Sequence, residues 1–316
     1  MRGIFEPLDP GVRETHALAL LATAMAVATW GGSGVAIKVV STTGLVASFY
    51  RLWFAIPALW LIALLSPSIR RRLNRAWMVA CLRGGGLFGL HQIFFFNCLK
   101  LTSVANVTII GALQPALVLL VAGRMFNERA TPRSLVWSLA ALAGTAIVVS
   151  GSLGTPGQSP LGDALAVANL FAFTAYFLVS KEIRSRVGAS EYVVGMTTVA
   201  GIVVLVASIL TDQDLGAPSG RDWPILAGLA VLPGTLGHLL TNWAHRHTSA
   251  FVMSIMMLAV PVIASVGAAV ILDEALGLAQ ITGGTIVLVA IGTVVRSTHA
   301  AAAEQLAESA ATTDAP

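Results

Sequence analysis

Ten apolar runs, each near the roughly twenty residues that a helix needs to cross the hydrocarbon core of a bilayer, fill most of this chain. They lie at Ala17–Val39, Val46–Leu65, Trp77–Leu99, Val104–Gly123, Leu135–Gly151, Leu161–Val179, Tyr192–Leu210, Pro224–Ala244, Ala250–Leu272 and Leu276–Val295. Lipid offers no partners for backbone N–H and C=O groups, so a lipid-facing run must satisfy them internally, as a helix or in a closed barrel. A barrel would alternate apolar and polar residues over strands of about ten, and no such alternation occurs. The composition agrees: 56% of the 316 residues are hydrophobic and 11% charged, against about 25% charged in a soluble domain. The chain reads as an all-α integral membrane protein with ten transmembrane helices.

Charges between the runs orient the bundle. With a cytoplasmic N-terminus, the inner loops and both ends carry fourteen Lys and Arg residues, among them Arg2, Arg13, Arg70, Arg71, Arg72, Arg129 and Arg246. The outer loops carry three, Lys38, Lys100 and Arg221. Positive charge gathers on the cytoplasmic side, so both termini are expected there, in a bacterial inner or plasma membrane. The net charge of +4 sits in these loop clusters rather than on one basic face, which argues against a nucleic-acid partner. The first run is longer than a signal-peptide core and lacks a cleavage site, so it reads as a retained helix. Residues 1–16 form a cytoplasmic arm, and 297–316, Ala-rich with Glu304 and Glu308, a poorly ordered cytoplasmic tail.

The chain also repeats itself. Pro115 and Glu128 recur as Pro261 and Glu274 at an offset of 146 residues, which also places Thr102-Ser103 on Thr248-Ser249 and Lys100 on Arg246. An offset of 143 places Lys38 on Lys181. The halves are residues 17–151 and 161–296, each with five spans. Five is odd, so the second half must enter the membrane upside down. Inverted repeats are a transporter architecture, with the substrate site near the midplane where the halves meet.

Trp30-Gly31-Gly32-Ser33 followed by Lys38, Arg51 in the second span, and the paired endings Pro115…Glu128-Arg129 and Pro261…Asp273-Glu274 resemble the EamA branch of the drug/metabolite transporter superfamily, over Ala17 to Arg296. The resemblance implies ten helices with cytoplasmic termini, and commonly the export of amino acids or related metabolites.

Charged groups within spans are costly, about 2.5–3.5 kcal/mol on insertion scales, and are functional candidates. Arg51 beside Tyr50 suits attraction of a substrate carboxylate or phosphate, or snorkelling to the outer surface. Arg83 reads as snorkelling inward, and Gly84, Gly85, Gly86 and Gly89 as helix packing. His91 and Gln92 lie in the third span, and His238, Asn242 and Trp243 in the eighth; Gln92 corresponds to His238 at the 146-residue offset, and both fall near mid-span. They read as cavity-lining groups or as interhelical hydrogen-bond partners. Trp30, Tyr176 and Gln114 join the substrate-binding candidates, whereas Trp77 and Trp223 read as interfacial anchors. Pro115 and Pro261 remove helical hydrogen bonds and read as hinges or static bends; Pro233-Gly234 marks another break.

Cys81 and Cys98 sit in one run, roughly 25 Å apart along a helix, too far for a disulfide. His245 and His247 point to different helix faces and have no carboxylate or thiolate beside them, so no metal is expected, nor any cofactor. No acidic residue lies mid-span, so a proton-coupled mechanism would fall to His91 or His238, and uniport stays equally open. A membrane enzyme would need clustered catalytic groups, and a scaffold would need larger loops. The expectation is a membrane transporter, an exporter of a small polar metabolite such as an amino acid or derivative, working by alternating access around a central cavity. A multidrug or nucleotide-sugar carrier is the alternative, although a cationic drug would want a carboxylate that Ala17–Ile37 lacks. Monomer and homodimer are equally compatible with the sequence.

Overall fold

The structure is a computed structural model that describes residues 10–127, 132–150, 159–271 and 277–313. The repeat endings Glu128, Arg129, Asp273 and Glu274, and most of the N-terminal arm, lie outside the described residues. Those that are described are helical apart from short connections.

In chain order, α1 comprises Pro10–Gly31 and Ser33–Val39, α2 is Gly44–Leu65, and α3 is Arg75–Leu101. The fourth helix, α4, has two pieces, Val104–Gly111 and Gln114–Phe126; α5 is Pro132–Ser150, α6 Pro160–Arg184 and α7 Ala189–Leu210. The eighth, α8, runs through Asp222–Leu229, a wide-turn segment Ala230–Gly237, and His238–Ala244. The ninth, α9, has Ala250–Met256, a tight turn Met257–Ala259, and Val260–Ile271; α10 is Leu278–Thr313. A helix thus stands at every expected run. Among the described residues, eight helices are long and apolar enough to cross a membrane, and two shorter apolar stretches, Leu135–Val148 and Ala250–Val266, fall in α5 and α9. The last helix continues past Arg296 to Thr313, through a stretch in which alanine, the residue of highest helix propensity, is the commonest.

Caps explain where several helices begin. The Thr43, Asn74 and Ser159 side chains accept from the N–H groups of Val46, Trp77 and Gly162, each meeting one donor that a helix start leaves unpaired. The caps repeat with the sequence: Ser103 Oγ accepts from Asn106 N–H at 3.0 Å, and Ser249 Oγ, 146 residues later, from Val252 N–H at 3.1 Å. The first pieces of α4 and α9 therefore start the same way, and both break in the same place, one turn ahead of Pro115 and of Pro261.

Small residues set the closest contacts. Gly84, Gly85 and Gly89 of α3 pack on α7: a Cβ on Gly85 would meet the Met196 carbonyl at 2.7 Å, and one on Gly89 would meet Val203 at 2.8 Å. Between α5 and α10, a Cβ on Gly283 would meet the Gly144 carbonyl at 2.6 Å. The glycine run is thus a packing surface. Arg83 pairs with Glu182 at 3.2 Å on the exposed flank.

Packing is regular across the bundle. Helix α3 packs on α6 and α7, α8 on α1 and α2, and the pairs α2–α7, α4–α9 and α5–α10 are in contact. Adding five to each label of the first half turns this set of neighbours into itself.

Candidate functional site

A cavity of about 180 Å³ is lined by residues of α1, α3, α4, α6, α8 and α9. Arg51 of α2 reaches into it. Among the described residues, none of α5 or α10 lines it; these two helices pack against each other.

Of the candidate residues, Trp30, Arg51, His91, Gln92, Gln114 and His238 line the cavity, as do the hinge candidates Pro115 and Pro261. Gln92 and His238, the pair related by the repeat, thus stand at one chamber.

Arg51 is 5% exposed. Its Nε donates to the Leu229 carbonyl at 3.3 Å, and its guanidinium lies 5.6 Å from the centre of the Phe96 ring. Leu229 is the residue four before Pro233, and a proline has no N–H to give the carbonyl one turn back. The arginine supplies a donor at that position. The cavity lining holds no Asp or Glu among the described residues, and Arg51 forms no ion pair there. A buried guanidinium without a carboxylate is costly unless an anion visits.

His91 Nδ1 donates to Asn169 Oδ1 at 2.7 Å. With Nδ1 protonated, Nε2 of the neutral ring is an acceptor. His238 Nδ1 hydrogen-bonds with the Tyr176 hydroxyl at 3.1 Å, and that hydroxyl accepts from Asn242 Nδ2 at 3.2 Å. Trp30 Nε1 donates to the Pro233 carbonyl at 3.0 Å, and its ring centre is 5.3 Å from that of His238. Gln92, at 1% exposure, has neither amide atom hydrogen-bonded, and Gln114 Nε2 is also without a partner. Buried polar atoms are nearly always paired, so two unpartnered amides at one cavity mark a place where water or solute makes the missing bonds.

The remaining candidates sit elsewhere. Tyr50 donates its hydroxyl to the Leu215 carbonyl at 2.8 Å and joins Phe54 and Trp223 at the bundle end, tying down the loop after α7. Tyr176 and Asn242 are buried behind the cavity wall, where they hold His238. Trp243 faces His247, ring centres 4.7 Å apart. Each occupies the right stretch of helix but the wrong angle around it: one residue is about 100° of turn.

The lining also includes residues that were not singled out from the sequence. Asn169 fixes His91, while Phe95, Phe96 and Phe173 form aromatic walls, with Phe173 4.7 Å from the His91 ring. The signal for Asn169 was present: it is the single amide side chain in the run Leu161–Val179. Arg184, counted among the loop charges, is 2% exposed, and its Nε donates to the Asn242 carbonyl at 2.6 Å.

Fold and site together define a multi-pass membrane protein with a solute-sized chamber between two halves of one bundle. The chain belongs to the EamA-like transporter family, whose model matches residues 17–150 and again 160–296. Over 196 residues, 61% of this chain and 67% of the relative, it is 26% identical to the aromatic amino acid exporter YddG of Ancylobacter novellus. Over 223 residues, 65% of this chain and 70% of the relative, it is 27% identical to an uncharacterized transporter of Haemophilus influenzae. A solved crystal structure at 18% identity covers 88% of this chain and 97% of its own with a TM-score of 0.74, which shows a shared fold.

Proposed function

We propose that this protein exports a small carboxylate-bearing metabolite, an amino acid or close derivative, across the bacterial plasma membrane by alternating access. The observation that carries the reading is Arg51, a cavity-lining guanidinium buried without a counter-carboxylate. A substrate carboxylate completes it, and Arg suits a two-pronged carboxylate contact better than Lys does. The aromatic walls Trp30, Phe95, Phe96 and Phe173 suit an apolar or aromatic side chain, consistent with the printed name of the Ancylobacter relative.

The bundle, in this reading, crosses the membrane ten times, as two five-helix repeats inserted in opposite senses with both termini cytoplasmic. Two features support it: contacts that survive exchange of the halves, and matching serine caps and breaks in α4 and α9. Helices α5 and α9 then span with their neighbours' help despite shorter apolar stretches. Rocking about the breaks near Pro115 and Pro261 opens the chamber to each side in turn.

Counterflow in reconstituted vesicles tests the assignment. The unmodified protein exchanges radiolabelled phenylalanine or another amino acid, and Arg51→Ala lowers kcat/KM by about tenfold or more, one such factor being about 1.4 kcal/mol, while still inserting. Full activity of Arg51→Ala removes the arginine from the mechanism.

A further inference from the structure

Three prolines line the cavity, Pro115, Pro233 and Pro261, and so does the residue four places before each: Gly111, Leu229 and Met257. In an α-helix the carbonyl of residue i−4 accepts from the N–H of residue i. A proline has none to give. Three residues of the lining therefore carry carbonyls that lack their α-helical donor. Gly111 and Met257 are a repeat-related pair, 146 residues apart. Gly111 has no side chain and lines the cavity with backbone alone; a Cβ built on it meets nothing within 4 Å. Met257 keeps a tighter bond from the Val260 N–H, and a carbonyl oxygen has a second lone pair.

One of the three already holds a cation. Leu229 O accepts from the Arg51 guanidinium at 3.3 Å. The other two border the same chamber, whose described lining has no carboxylate to balance a positive substrate group. Unwound backbone at mid-membrane commonly meets cations with its carbonyls. Unpartnered Gln92 Oε1, 1% exposed on the same wall, offers a further acceptor.

We infer that the carbonyls of Gly111 and Met257, denied their α-helical donors by Pro115 and Pro261, receive the α-ammonium of a zwitterionic substrate whose carboxylate is held by Arg51. The two prolines are then specificity determinants as well as bends. This rests on the carrier reading above and narrows its substrate class to free amino acids, over des-amino or N-blocked acids.

The test compares phenylalanine with 3-phenylpropanoate, which lacks only the amino group, in vesicles carrying the full chain or the variants Pro115→Gly and Pro261→Gly. Glycine restores the N–H while leaving the helix pliable. Each variant is expected to raise KM for phenylalanine about tenfold and to change KM for 3-phenylpropanoate less than about twofold. An equal fall in kcat for both solutes would mean that the prolines act only as hinges and would overturn the inference. So would a sodium requirement of phenylalanine flux that shifts in the variants, since the carbonyls would then hold a metal cation. If the unmodified protein moves 3-phenylpropanoate but not phenylalanine, the inference falls and the carrier reading stands. If it moves neither, nor any other amino acid offered, both fall.

Discussion

Gln92 is the residue whose behaviour separates stability from function most cleanly. Its two amide atoms are buried and unpartnered in the structure, and an unsatisfied buried polar group costs about 1–3 kcal/mol. Gln92→Met, which nearly conserves volume, therefore leaves melting temperature in detergent unchanged or higher, while KM for the transported solute rises several-fold. A lower melting temperature with unchanged KM would show that the amide serves the fold and not the solute. Polar identity was legible in the sequence at Gln92, His91, Arg51 and His238, because each stands out in an apolar run. Their angle around the helix was not. Tyr176 and Asn242 lie one layer behind the wall, and Tyr50 at the bundle end, since that angle depends on which neighbours a helix meets.

Among the elements, hydropathy located α1 to α10, because the bilayer demands long apolar runs whatever their packing. Breaks were legible where proline announces them, at Pro115, Pro233 and Pro261. The wide-turn form of α8 was not, nor the use of its Leu229 carbonyl by Arg51. The α5–α10 pair shows how closely two helices depend on small residues. Gly283 lies so near α5 that an added Cβ would stand 2.6 Å from the Gly144 carbonyl and 2.7 Å from the Val148 nitrogen. Backbone cannot yield as a side chain tip can, so Gly283→Val costs about 1–3 kcal/mol, the usual penalty of overpacking, and lowers the melting temperature. Because α5 and α10 do not line the cavity, KM of the protein that remains folded is unchanged. A variant of full stability would mean that the two helices stand farther apart than described.

At the scale of the whole molecule, the account depends on a bundle used twice in opposite senses around one chamber. The sequence carried this through a few polar and proline positions at fixed offsets; it could not show that those residues share a cavity, which only the contacts between α1, α3, α4, α6, α8 and α9 reveal. The lining comes in repeat-related triplets, with Gly111 and Met257 bordering one space, as the proposed opposed insertion requires. The most direct measurement is the sidedness of two corresponding loops. In a background with the buried Cys81 and Cys98 replaced by alanine, single cysteines at Asn127 and at Asp273, 146 residues apart, are probed in intact cells with a membrane-impermeant maleimide. The cysteine at Asp273 should label from outside, and that at Asn127 only after the membrane is opened. Labelling of both from the same side would contradict inverted insertion, and with it the shared chamber as a route for solute.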